Sequence, residues 1–160
     1  MKEIEYDRFN AIKYAKYWAS KRNPEFYDFE THGGDCTNFA SQCLYYGAKT
    51  MNYTPTFGWY YKSAYDRTPS WTGVDFFYNF IINNKDIGPY GEERSLNNID
   101  LGDFIQLGHE NDDFYHTLIV TSILNGEILV SAHTFDVYNK PLNNYVFSKL
   151  RCIHIKGVRF

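Results

Sequence analysis

The sequence has no basic run, no apolar stretch long enough to cross a bilayer and only 3 cysteines. Each shortage closes a class of function. Lys and Arg number 16 against 19 Asp and Glu, for a net charge of -3. Phosphate binding needs clustered cations, so no nucleic-acid partner is expected. A spanning helix needs about 20 apolar residues, so no membrane partner is expected either. The first 14 residues lack the apolar stretch of a secretory leader. Such a chain is a piece of a longer exported protein, leaves by another route, or stays in the cytosol. Three cysteines make no disulfide framework. Cys36 and Cys43 stand two helical turns apart, roughly 10 Å, too far to bridge. Cys43 and Cys152 read as small buried apolar side chains.

What is present is core material. Of 160 residues, 44% are hydrophobic and 19% aromatic, with 15 Tyr. That suits one domain over residues 1–160. Tyr serves packing and serves grooves for glycans or peptides equally well. Helical spacing marks residues 6–20, with Asp7 as cap, Phe9, Ile12, Lys16 and Ala19 on one face and Ala11, Ala15 and Trp18 beside them. A second helix runs from Cys36 to Tyr46, capped by Asp35 and stopped by Gly47. Residues 48–71 are irregular and aromatic, as functional loops often are. Thr72-Gly73-Val74-Asp75 resembles a capping box, and a third helix follows to Asn83 with Phe76, Phe77, Phe80 and Ile81 inward. The period then changes. Phe104–Leu107 reads as a strand, and 115–123 and 127–133 form a hairpin about Asn125-Gly126. Residues 147–158 supply one or two more strands. Helices first and antiparallel strands later make an α+β fold.

Chemistry begins at Gly33-Gly34-Asp35-Cys36. A thiol at a helix start meets partial positive charge, which favours the thiolate. A nucleophilic Cys needs a base, and His is the usual one. His116 opens one hairpin strand and His133 closes the other, with residue 116 expected roughly opposite 135. If the Cys36 helix starts at that end, Cys36, His116 and His133 converge. His133 would then orient His116. The aromatic loop of Trp59, Tyr60, Tyr61 and Trp71 is the expected wall of a substrate groove, or else a minor core.

Asp7-Arg8, Ala11, Tyr14-Ala15, Asn23-Pro24, Gly34-Asp35-Cys36-Thr37-Asn38-Phe39 with Ser41-Gln42, Trp59-Tyr60, Ser70-Trp71, His116-Thr117 and His133-Thr134 together resemble the "Putative amidase domain" family. The resemblance covers nearly the whole chain. It implies a branch of the papain-like superfamily, near the NlpC-type and CHAP cell-wall hydrolases. The implied fold is papain-like, with N-terminal helices packed on a C-terminal antiparallel sheet. The implied activity is cleavage of an amide bond in peptidoglycan, as an N-acetylmuramoyl-L-alanine amidase or an endopeptidase. By position, Cys36 matches the nucleophile, His116 the general base and His133 the third polar residue, with Asp136 in reserve. Asp35, Thr37, Trp59, Tyr60 and Trp71 are the expected substrate-binding residues. Backbone N–H groups at Cys36 and Thr37 are the expected oxyanion donors. Papain has a Gln six positions before its Cys, whereas Glu30 stands there here and cannot donate when ionised. No cofactor or metal is implied. The partner is the glycopeptide substrate, the chain is expected to be a monomer, and its place is the cell wall or outside the cell, as part of a larger protein or released by lysis.

Three rivals stand beside this reading. A zinc enzyme needs three protein ligands, but no His-Glu-x-x-His occurs and the 5 His are scattered. A papain-like toxin or effector acting on a protein is open, because fold does not fix function. So is a non-catalytic wall-binding domain. The acidic turn of Glu110, Asp112 and Asp113 has no recognised Ca²⁺ spacing and reads as solvated.

Overall fold

The sequence changes period halfway, and the chain does too. A computed structural model describes residues 1–160. The order is β1 (Glu3–Ile4), α1 (Arg8–Trp18), α2 (Cys36–Ala48), β2 (Tyr61–Ser63), β3 (Asp66–Arg67), α3 (Pro69–Thr72), α4 (Val74–Asn83), β4 (Gly88–Arg94), β5 (Phe104–Gly108), β6 (Phe114–Leu124), β7 (Glu127–Ala132), β8 (Val137–Pro141) and β9 (Lys149–Arg159). The main sheet runs β1-β9-β5-β6-β7-β8, with β4 also on β9, and every pairing is antiparallel. The fold is α+β.

Alternation along the strands gives the sheet two apolar faces. Phe104, Ile119 and Ile153 meet Phe39, Cys43, Leu44 and Phe77 of the helices. Ile105, Leu107, Leu118, Val120, Val130 and Cys152 point the other way, under Ile99 and Leu142. Which face a strand residue takes therefore decides which neighbours it can have.

Asp7 caps α1 as expected, its carboxylate accepting from the Asn10 amide at 3.0 Å. The buried face differs from the expected one. Ala11, Tyr14 and Ala15 face inward, while Phe9 is 83% exposed. The small alanines let α1 lie close on α2, and that close approach outweighs the apolar area of one Phe. Gly47 does not stop α2. It lies inside the last turn, where a Cβ would meet the Asp7 carbonyl oxygen at 2.7 Å. Lys49, at a φ of 55°, ends the helix in the left-handed region. No capping box forms at α4, and Gly73 precedes it without a side-chain cap. Phe77 and Ile81 are buried there, but Phe76 is 61% exposed.

The β6–β7 hairpin is the expected one. Asn125 and Gly126 both have positive φ, at 52° and 79°, and Leu124 pairs with Glu127. Two positive φ values define a type I′ turn, whose twist suits the strands. Two pairs further from the turn the register changes. Ser122 pairs with Leu129, but Val120 pairs with Val130, so Thr121 is an extra residue in β6.

Candidate active site

Cys36 is the first residue of α2 and is 8% exposed. Its Sγ lies 3.8 Å from Thr37 Oγ1. The backbone of Thr117 and Thr37 also bears on the charge of the sulfur. Burial pushes the thiol pKa up, the Thr117 and Thr37 donors pull it down, and the Asp35 carboxylate pushes it up again. At rest the group is a thiol. Its side-chain partner is a threonine hydroxyl and not an imidazole.

Asp35 precedes the helix without capping it. Its Oδ1 accepts from the Phe29 amide at 2.8 Å and from Asn38 Nδ2 at 2.8 Å. Its Oδ2 lies 2.5 Å from His133 Nδ1 and 3.6 Å from Arg22 Nε. The carboxylate thus joins the loop before α2, the helix and the end of β7. His133 Nε2 lies 2.8 Å from the Trp18 carbonyl oxygen, and the ring stacks on Phe39 at 3.9 Å between centroids. Both ring nitrogens are engaged, one by the carboxylate and one by the carbonyl. Neither nitrogen is left for a second imidazole.

The next residues extend this clasp. Thr134 Oγ1 accepts from the Asp35 amide at 3.1 Å and donates to Glu30 at 3.2 Å. Asp136 accepts from Arg22 at 2.7 and 3.1 Å, so the reserve carboxylate is also committed.

His116 lies elsewhere. It pairs with Leu107, and the regular β5–β6 register puts it on the face of Leu107 and Leu118. Thr117 takes the opposite face, where its Oγ1 is 2.9 Å from Thr37 Oγ1. The His116 ring is 6.1 Å from the Tyr145 ring. Burial, and then the charge of Lys140, lower its pKa to about 4. The structure therefore brings Cys36, Asp35, Thr37, Thr117 and His133 together on the helix side, with His116 on the far side. The expected three-residue convergence is not formed. Without the Thr121 bulge, residue 133 would fall opposite 118 and share a face with 116. With the bulge it falls opposite 117. A slip of one residue exchanges the faces of a strand.

The expected groove wall is corrected as well. Trp59 and Trp71 are fully buried, and their rings lie 4.7 Å apart. Trp59 Nε1 donates to Ser41 Oγ at 3.1 Å, and Trp71 Nε1 donates to Asn38 Oδ1 at 2.9 Å. They brace α2 from behind, which is the minor-core alternative. Asp35 and Thr37 are buried too and support Cys36 without facing solvent. Tyr60 stays half-buried, with its hydroxyl on Asp66 at 2.7 Å.

Gln106 was not singled out in the sequence. It is fully buried, donating through Nε2 to the Val74 carbonyl at 2.8 Å and Thr117 Oγ1 at 3.2 Å, and accepting from Arg151 Nε at 2.8 Å. A Gln at an inward strand position was the signal for it. The donor atoms of Asp100, Asp103 and His154 lie within 4.8 Å of one another, close enough for a metal. The Asp103 oxygens already accept from Arg8, Asp100 N, His154 and Ile155 N, so protein donors fill that group. Arg8 of the Asp7-Arg8 pair thus clasps β5 and β9.

A family model described as "Putative amidase domain" matches residues 5–155. Two proteins of Bacillus subtilis (strain 168) are similar. "Uncharacterized protein YhbB" is 34% identical over 137 residues, which are 83% of this chain and 43% of that protein. "Uncharacterized protein YjcM" is 30% identical over 152 residues, 90% of this chain and 34% of that protein. The chain spans less than half the length of these relatives. No solved structure matches it.

Proposed function

This chain belongs to the family described as "Putative amidase domain", and from that premise we propose that it is a cysteine-dependent amide hydrolase acting on peptidoglycan. The fold is read as a papain-like arrangement of the NlpC and CHAP kind, carried by one domain. The observation that carries the proposal is the set of donors around one sulfur. Thr117 N–H, Thr37 N–H and the Thr37 hydroxyl all act on Cys36 Sγ at a helix start. Donors so placed favour an anion on the sulfur, and the same helix start offers N–H groups to a developing oxyanion.

In this mechanism Cys36 attacks the amide carbonyl and gives up its proton to a neutral imidazole. His116 is that imidazole, since its lowered pKa keeps it unprotonated near neutrality. The ring then protonates the departing amine, and water frees the acid from the acyl-enzyme. His116 must re-aim to meet the thiol. It adjoins a bulge, for Leu107 pairs with His116 while Gly108 pairs with Phe114. Bulges re-aim neighbouring side chains, and catalytic hydrogen bonds often tighten only when substrate is bound. His133 serves as a positioning residue, locked to Asp35. Tyr60 remains the substrate-contact candidate of the aromatic loop. The protein works in the wall or outside the cell, as a monomer.

A second reading is a wall-binding domain without catalysis. The 8% exposure of Cys36 and its lack of an imidazole partner favour it. Turbidity of purified cell walls separates the two. The wild-type chain clears the suspension and Cys36→Ala does not, with both equally folded by circular dichroism. Equal clearing by both removes Cys36 as nucleophile, and binding without clearing by either establishes the second reading.

A further inference from the structure

The aromatic loop hides its tryptophans, but its tip does the opposite. Phe57 is 84% exposed at the mouth of a cleft of about 410 Å³ between this loop and α4. The wall includes Thr54, Thr56, Phe76, Asn79 and Asn83. We propose that this cleft is a second binding site, for a neutral saccharide.

The chemistry of the wall selects the ligand. Its only charges are Lys85 and Asp86, which cancel. A ligand of net charge would gain little there. Asn83 uses its Nδ2 on the Asn79 carbonyl at 2.9 Å, leaving its Oδ1 open. The Asn79 amide and the Thr54 and Thr56 hydroxyls are solvent-facing polar groups in the same wall. Amides and hydroxyls both donate and accept, as sugar hydroxyls do. Phe57 and Phe76 offer flat apolar surfaces to the C–H face of a pyranose ring.

The tip is also built to hold its shape. Thr56 has a φ of 66°, a left-handed conformation that a β-branched residue rarely adopts. Phe57 N donates to the Pro55 carbonyl at 2.7 Å and Gly58 N to the Thr54 carbonyl at 2.9 Å, closing a tight turn. Below it, Asn52 is buried and accepts from the Thr54 amide at 2.9 Å while donating to the Ile87 carbonyl at 2.8 Å. Strain kept at a position with no packing role marks a functional candidate. Here it holds Phe57 in solvent. The cleft is distinct from the Cys36 site. Val74, at the start of α4, accepts from Gln106 on the Cys36 side, whereas the cleft is lined by Phe76, Asn79, Phe80 and Asn83 along that helix and includes neither Cys36 nor its partners. Saccharide binding does not require Cys36 to be the nucleophile.

The test is an amide NMR titration of the wild-type chain with tetra-N-acetylchitotetraose and, separately, maltotetraose. At least one sugar shifts residues 54–58 and 76–86 with a saturating curve. Phe57→Ala and Asn79→Ala, both at exposed positions, weaken that affinity about tenfold or more without lowering Tm. Phe57→Leu keeps the bulk but loses the flat ring, and weakens it as well. Thr56→Gly frees the turn and weakens binding while leaving Tm unchanged or higher. The proposal is overturned if neither sugar shifts these residues at about 10 mM, or if affinity survives both alanine variants. A wild-type chain that lyses walls yet binds neither sugar overturns this site alone.

Discussion

Cys36 and His116 are both held uncharged by burial, one as a thiol and the other as a free base. That fixes the pH behaviour. As general base, His116 must be unprotonated, so kcat/KM holds from neutrality downward and falls with an apparent pKa of about 4. Activity falling near the ordinary imidazole value of 6.5 would contradict this environment. The same shift carries a stability term. The folded-state pKa is depressed, so the stabilisation is full above 6.5 and is lost as pH falls toward about 4. By linkage it is worth about 3 kcal/mol at most. His116→Leu removes that part of the acid slope in urea unfolding followed against pH. An unchanged slope would place the ring in water.

At the scale of elements, the start of α2 is held by its neighbours more than by its own cap. Asp35 joins Phe29, Asn38 and His133 across three segments. Asp35→Ala leaves His133 Nδ1 and the Phe29 amide without their acceptor and takes one of two acceptors from Asn38 Nδ2, and costs about 3–5 kcal/mol. Chemical denaturation measures it, and a loss below about 1 kcal/mol would show that water replaces the carboxylate. Gly47→Ala makes a second test. In an exposed helix interior this change gains about 1 kcal/mol. Here the new Cβ meets the Asp7 carbonyl and the Tyr6 ring, so stability falls. A rise in Tm would mean that α1 can move away.

These elements also show what a sequence reveals. The β6–β7 hairpin was legible because Asn-Gly is one of few pairs that accept two positive φ values. The start of α2 was legible from the glycine pair, although its Asp turned out to bind His133, Phe29 and the Asn38 side chain and not to cap a helix amide. The inward face of α1 was misjudged because Ala carries little hydrophobic weight yet permits close packing. The placing of His116 and His133 on opposite faces was not legible. It depends on the single extra residue Thr121, and nothing in Val120-Thr121-Ser122 announces a bulge. β4 and β8 were missed because both hold polar residues and Pro, which pattern reading assigns to loops.

At the scale of the molecule, one sheet divides two cores, and the candidate site sits where that division matters most. The thiol and the buried Asp35–His133 pair belong to the helix side, and His116 to the other. The proposed mechanism then requires a local change at the start of β6, beside the irregular pairing of Gly108 with Phe114, while both cores stay fixed. The chain also spans less than half the length of these relatives. The most direct measurement is mass spectrometry of the fragments released from purified cell walls. The wild-type chain should create new free amine and carboxyl ends at one kind of amide bond, and Cys36→Ala, equally stable, should create none. The same new ends from the Cys36→Ala protein would contradict the account.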